Sequence, residues 1–287
     1  MEKNFFIKSQ GLGNEYIVIN EDTITFPLTE KAIQKICNVN FGIGSDGILV
    51  KTKSETADIG LKIFNPDGSE AEKSGNGLRI FCKYVYDYKI IPQKEFTVET
   101  KGGKVRATIQ ETLNERAALI TVDMGQAIFD SKQIPTSFNS KEVQDERITI
   151  DDQEFLINCV SVGNPHCVIL KENLDSEEIK KYGPKIETFS KFPNRINVQF
   201  AKVLNRDEVQ ILIWERGAGF TLASGSSSCA VASVLRKKGL INNKVTIKMP
   251  GGELKIEIDD HWQIRMTGEV RQICEGVLHE ELINSFL

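Results

Sequence analysis

The sequence predicts an α+β fold of two pseudo-symmetric homologous domains. Each is expected to be a mainly antiparallel sheet or barrel around a central helix, with the active site in the interdomain cleft. Three observations lead there. The chain has 287 residues, more than one ordinary core serves. It repeats itself: Ser74, in EKSGNGLRIF (72–81), returns 150 residues later as Ser224, in LASGSSSCAVASVL (222–235). Within each copy the order is the same, a Gly-Asn strand, a strand leading to a Ser-Gly turn and a helix, then a hairpin closed by Gly-Gly.

The elements follow in chain order. LGNEYIVI (12–19) is a strand, and VGNPHCVI (162–169) matches it. DIGLKIF (58–64) and its counterpart EVQILIW (208–214) alternate polar and apolar residues, as half-buried strands do. Ser74 and Ser224 each stand where an N-cap opens a helix. FTVETKGGKVRATI (96–109) and VTIKMPGGELKIEI (245–258) are hairpins with two-residue Gly-Gly turns. NERAALITVDMG (114–125) straddles the boundary between domains placed at 1–117 and 118–287, with the last strand free to cross back. DSKQIPTSFNSKEVQDE (130–146) reads as a polar surface stretch. KENLDSEEIKKYGPKIE (171–187) holds one amphipathic helix with Leu174, Ile179 and Tyr182 on its apolar side. Arg236-Lys237-Lys238 falls at a helix end, where cations complement the dipole.

Composition excludes several classes. Apolar content of 40% and charged content of 26% are those of a globular domain. A net charge of −4 and a pI near 5.6 argue against nucleic acid as partner. No apolar run is long enough to span a membrane, and MEKNFFIKSQ is not a signal peptide, so the expected location is cytoplasmic. The six cysteines are scattered, without a C-x-x-C pair, so neither a metal site nor a disulfide framework is expected.

Two Ser-Gly turns at matched places suggest a shared purpose. A helix N-terminus offers unpaired N–H groups and the positive dipole end to an anion. Gly75, Gly77 and Gly225 let a ligand approach the backbone. A carboxylate held between two such turns would have a small polar side chain on each face of its neighbouring carbon. One could remove a proton and the other deliver one, inverting the centre.

At these residues the chain resembles the diaminopimelate epimerase family, which racemises amino acids without pyridoxal phosphate. GLGNEY (11–16), FGIGSDG (41–47), NPDGSEAEKSGNGLR (65–79), VGNPHC (162–167) and WERGAGFTLASGSSS (214–228) carry the likeness. The resemblance implies a duplicated fold, a cleft site, no metal, no cofactor, a zwitterionic amino-acid substrate and a homodimer. It places Gly75, Asn76, Gly225 and Ser226 at the substrate's α-carboxylate. Asn65, Asn197 and Arg216 match positions that hold its distal end, and Glu215, Asn164 and Asn14 match the remaining polar contacts. The residue types agree with this, since Arg offers a fork to a carboxylate and Asn both donates and accepts.

The chain also departs from the family pattern. Cysteines, the paired acid and base, are replaced by Ser74 and Ser224; Phe220 stands for a usual Glu, Ser227 for a Gly, and Gly47 for a longer side chain in some members. A free thiol titrates near 8.5, whereas an alcohol is about as weak an acid as water, near 15.7. The gap of about 7 pKa units is about 10 kcal/mol, and a helix dipole supplies at most about 2 kcal/mol. Serine therefore needs a neighbouring base. Glu70 and Glu72 precede Ser74, and His166 is read as a structural hydrogen-bonding residue. Three readings stay open: cysteines replaced in an ordinary epimerase, a branch with altered chemistry or substrate, or a branch that binds without turnover. Rival functions are a racemase or dehydratase acting on another amino acid, and a non-catalytic amino-acid binding protein.

Overall fold

The computed structural model describes residues 2–286. The chain divides into two units, Met1–Val122 with Gly268–Leu287, and Asp123–Thr267. The break falls a few residues beyond 117/118, within the same strand, Arg116–Gln126, and the last twenty or so residues return to the first unit because their strand pairs there.

The first unit contains β1 (Phe5–Gly11), β2 (Asn14–Asn20), α1 (Glu30–Cys37), β3 (Ile48–Thr52), β4 (Ile59–Phe64), β5 (Glu70–Ala71), α2 (Gly75–Asp87), β6 (Glu95–Thr100), β7 (Gly103–Leu113) and most of β8 (Arg116–Gln126). The second contains β9 (Glu146–Ile150), β10 (Gln153–Ser161), β11 (Pro165–Leu170), α3 (Ser176–Glu187), β12 (Asn197–Asn205), β13 (Glu208–Glu215), β14 (Gly219–Thr221), α4 (Gly225–Lys237), β15 (Lys244–Met249), β16 (Gly252–Ile258) and most of β17 (Gln263–Glu269). Then β18 (Arg271–Val277) and the short α5 (Glu280–Asn284) complete the first unit.

The pairing repeats as the sequence does. β1 and β2 form a hairpin closing at Gly11–Asn14, and β10 and β11 one closing at Ser161–Pro165. β2 runs parallel to β3, and β11 parallel to β12. β4 runs parallel to β6 with Ile59 beside Val98, and β13 parallel to β15 with Val209 beside Ile247. The two hairpins turn one residue earlier than a Gly-Gly pair would, at Lys101-Gly102 and Pro250-Gly251, with Thr100 opposite Gly103 and Met249 opposite Gly252; Gly103 and Gly252 have positive φ, 106° and 135°. The first strand of each hairpin gains a further antiparallel neighbour: β9, which precedes it, pairs with β10, and β18, from the end of the chain, pairs with β1.

Each unit buries one helix. In α2 every residue from Asn76 to Val85 is buried, and in α4 every residue from Ser227 to Leu235. A helix with no solvent face is a core helix, and the sheet wraps it. Leu78, Ile80 and Phe81 occupy that role in α2, and Cys229, Val231 and Leu235 in α4. α1 and α3 lie on the outer side. Ile17, Ile33, Ile36 and Ile48 form one outer core with Leu278 and Phe286, and Ile157, Ile179, Ile186 and Phe200 form the other. Leu174 and Tyr182 pack against the second core beside Ile179, as the amphipathic reading expects.

One expectation needs correction. The polar stretch 130–146 is exposed or half-buried over most of its length, but Ile134 and Val143 are fully buried and Ser131 nearly so. The segment is pinned by Asp130–Glu142 pairing and by the Cys159 N–H donating to the Val143 carbonyl. The basic run at the end of α4 is structural: Arg236, Lys237 and Lys238 pair with Asp260, Glu142 and Asp145. Among the described residues, no helix is long and apolar enough to cross a membrane.

Candidate active site

The two Ser-Gly turns are N-caps in matched geometry. Ser74 has φ −136° and ψ 119°, Ser224 φ −147° and ψ 125°, both extended. Ser74 Oγ accepts from the Gly77 N–H at 3.1 Å, and Ser224 Oγ from the Ser227 N–H at 3.4 Å. Gly75 and Asn76, and likewise Gly225 and Ser226, are the first two residues of their helices. Their N–H groups have no intrahelical partner, so each turn is an anion-ready helix end.

Around Ser74 the first unit gathers Asn14, Asn76 and Tyr16. Asn76 Nδ2 donates to Asn14 Oδ1 at 3.3 Å, and Asn14 Nδ2 donates to Asp46 at 2.7 Å. The fully buried Arg79 donates to Asn76 Oδ1 at 2.8 Å and fixes that amide. The Tyr16 hydroxyl lies 3.2 Å from Ser74 Oγ. Asn65 stands on the β4–β5 turn, its NH2 donating to Ser69, and is not joined to this group by those bonds. The nearby acids do not serve Ser74: Glu70 faces Lys101 at 3.8 Å, and Glu72 is exposed.

Around Ser224 the second unit gathers a larger set. Ser224 Oγ donates to Glu215 Oε2 at 3.2 Å and lies 3.4 Å from Ser226 Oγ. Thr221 donates to Glu215 Oε1 at 2.7 Å. The β13–β14 hairpin makes this possible by folding the end of β13 beside the turn into α4. Withdrawal from water pushes the Glu215 pKa above the usual carboxylate value, with the Thr221 and Ser224 hydrogen bonds pulling it back. Asn197 accepts from the Arg216 N–H at 3.0 Å and donates to the Pro165 carbonyl at 2.9 Å. The Arg216 guanidinium is exposed and donates to the Asn194 carbonyl.

Asn164 joins this set through His166. The ring Nε2 lies 2.8 Å from Asn164 Oδ1, and Nδ1 lies 3.1 Å from Gln199 Nε2. Gln199 Nε2 also donates to Ser227 Oγ at 3.0 Å. A neutral ring protonated on Nε2 satisfies both contacts. Burial lowers the His166 pKa to about 3, so it is uncharged at neutral pH and holds Asn164 in place. Sequence reasoning expected a structural histidine here; it missed Tyr16, Gln199 and Thr221, and assigned Glu215 to substrate without its bond to Ser224. Cys82 and Cys229 are fully buried core residues, and burial raises the Cys82 thiol.

Comparison with known proteins shows the family. The diaminopimelate epimerase family model matches residues 6–129 and 158–273. A protein named diaminopimelate epimerase 2 from Nostoc sp. is 48% identical over 96% of both chains. A diaminopimelate epimerase from Acetivibrio thermocellus is 41% identical, over 94% of this chain and 97% of that one. Solved structures extend the fold further. A probable proline racemase from Agrobacterium radiobacter superposes with TM-score 0.71 at 12% identity, over 96% of this chain and 92% of that one. A hydroxyproline epimerase from Agrobacterium vitis gives 0.70 at 12% identity, over 96% and 90%. The fold, the duplicated serine turns and the relatives meet in one conclusion: this chain belongs to the diaminopimelate epimerase family.

Proposed function

We propose that this chain binds diaminopimelate and epimerises one α-carbon, interconverting the LL and meso forms, with Ser74 and Ser224 as its acid–base pair. The observation that carries the reading is the Ser224–Glu215 hydrogen bond at the start of a buried helix, with Ser74 capping the matched helix of the first unit. A serine alone is too weak an acid to form a useful base. A serine bonded to a carboxylate can hand its proton to that carboxylate as it takes one from carbon. The raised pKa of Glu215 brings its basicity nearer to the working pH, which favours that transfer.

The substrate α-carboxylate would rest on the N–H groups of Gly75, Asn76, Gly225 and Ser226. The helix ends there stabilise the extra negative charge as the carbon loses its proton. Asn14 and Asn164, each held by a bonded neighbour, would orient the amino group. Arg216, with Asn65 and Asn197, would take the distal end. Arg216 is exposed, and among the described residues its guanidinium donates to one carbonyl, so most of its donors remain for a carboxylate. The reading needs no cofactor, and it carries a homodimer and a cytoplasmic location as further expectations.

The test is direct conversion. LL-diaminopimelate is incubated with the chain and the stereoisomers are separated by chiral chromatography. Appearance of the meso form, with approach to the same mixture from the meso side, supports the reading. Tight binding without conversion of either isomer contradicts it and leaves a binding protein.

A further inference from the structure

The two serines do not have the same chemical neighbour. The residue 150 before Glu215 is Asn65, so the first unit has no carboxylate at the matched place, and Asn65 is tied to Ser69. Of the acids just before Ser74, Glu70 faces Lys101 and Glu72 is exposed. What meets Ser74 Oγ is a phenol, Tyr16, at 3.2 Å. Its ring is 7% exposed and lies against Gly47. A Cβ at Gly47 would stand 2.8 Å from Cε1 of Tyr16 and 2.4 Å from the Phe64 carbonyl oxygen, and φ there is 155°. Gly47 therefore makes the space in which the tyrosine reaches the serine, and a feature of the sequence that stood unexplained acquires a purpose.

We propose, resting on the epimerase reading above, that Tyr16 is the proton source that Ser74 draws on, so that the first unit delivers the proton and the second removes it. A phenol titrates near 10, close to a thiol near 8.5 and far below an alcohol. Tyrosine is an established type of general acid. The protons balance as follows. On one face the Cα–H bond breaks, its proton goes to Ser224 Oγ, and the Ser224 proton passes to Glu215 Oε2. On the other face the Ser74 O–H bond breaks as a new Cα–H bond forms, and the Tyr16 proton passes to Ser74 Oγ. Glu215 ends as a carboxylic acid and Tyr16 as a phenolate, and exchange with water restores both. The Gly77 N–H, already bonded to Ser74 Oγ, steadies the serine oxygen between its two proton transfers. Charged groups on the elements packed around Tyr16 are Arg79 of α2, Asp46 on the loop into β3, and the Lys8–Glu15 pair of β1 and β2.

Tyr16 acts through Ser74, so the test needs readouts that a packing role would not move. Tyr16→Phe is compared with the unchanged chain for inversion of diaminopimelate and for α-proton exchange in heavy water. The expected result is an inversion slower by about 10²-fold or more, while exchange with retention continues for the one stereoisomer that faces Ser224. The alkaline limb of the kcat/KM profile should vanish with the phenol. In a Ser74→Cys background, where a thiol carries its own acidity, Tyr16→Phe should change inversion by less than about threefold, a small effect beside the range typical of a proton-transfer group. Inversion unaffected by Tyr16→Phe, an equal loss in the Ser74→Cys background, or exchange and inversion lost together would each overturn the proposal while leaving the epimerase reading standing. An unchanged chain that binds diaminopimelate and shows neither exchange nor inversion overturns both.

Discussion

The two serine turns share a backbone and differ in everything that touches the hydroxyl. Ser74 and Ser224 cap helices of the same length with the same dihedral class. The matched positions around them have diverged. Tyr16 corresponds to His166, Gly47 to Asn197, Asn65 to Glu215 and Gly77 to Ser227, each pair 150 residues apart. Ser74 thus meets a phenol, and Ser224, only 5% exposed, meets a carboxylate. On the proposed reading, duplication supplied two helix ends for one anion, and the substitutions around them give the two serines opposite proton roles. An inversion needs that asymmetry at every turnover, one group ready to take a proton and the other ready to give one.

The comparison can be broken most sharply at Glu215. Glu215→Gln keeps an acceptor for Thr221 but removes the base. Proton exchange at the face served by Ser224 should fall by about 10²- to 10⁴-fold, measured by mass or NMR loss of the α-proton. An exchange rate within twofold of the unchanged chain would show that Ser224 has no need of Glu215.

Arg216 sharpens the same contrast, because only the second unit has an arginine beside its hairpin; the matched residue is Pro66. Arg216→Met should weaken diaminopimelate binding by about 1.5–3 kcal/mol, the usual worth of a charged hydrogen bond. It should leave the affinity for a monocarboxylate diamine amino acid nearly unchanged, and calorimetric titration of the two ligands reads the difference.

His166 and Glu215 set opposite pH dependences in one unit. The His166 pKa falls from 6.5 to about 3 on folding, so the unfolded chain binds the extra proton between those values. Stability from this group is fully present above about pH 6.5 and is lost as pH falls toward 3. The raised Glu215 works the other way, since the folded chain keeps its proton longer and gains stability as pH drops. Denaturant unfolding at about pH 7 and about pH 5 should show a loss on acidification that His166→Gln removes and Glu215→Gln deepens. The smallest effect is expected at Ser227, where Ser227→Ala leaves one Gln199 donor without its partner and costs about 1–3 kcal/mol of stability.

Much of this arrangement was legible in the sequence, and the reason is locality. The serine turns, the Gly-Gly hairpins and the order of strands depend on residues close together in the chain, and duplication printed each signal twice. The partners of the serines were not legible because packing brings them together. Glu215 precedes Ser224 by nine residues, within reach only because β13 and β14 fold back on each other. Tyr16 lies 58 residues before Ser74. Of the acids beside Ser74 in the chain, Glu70 faces Lys101 and Glu72 is exposed. The usable signal was the repeat itself, which aligns Tyr16 with His166 and so marks both as polar groups near a serine turn. Ile134 and Val143 were hidden for a related reason, two apolar residues in a polar stretch with no period to announce burial. The return of β18 to β1 follows from the duplication, since β9 stands to β10 as β18 stands to β1.

The central claim is that these serines do acid–base chemistry on diaminopimelate, aided by the groups bonded to them. The measurement that tests it most directly is α-proton exchange from diaminopimelate in heavy water, run on the unchanged chain and on the Ser74→Cys/Ser224→Cys variant. The account expects exchange by both, with the double variant faster and no longer dependent on Tyr16. Silence from the unchanged chain beside rapid exchange by the double variant would contradict the claim for serine while upholding the scaffold and its substrate; silence from both would contradict the substrate as well.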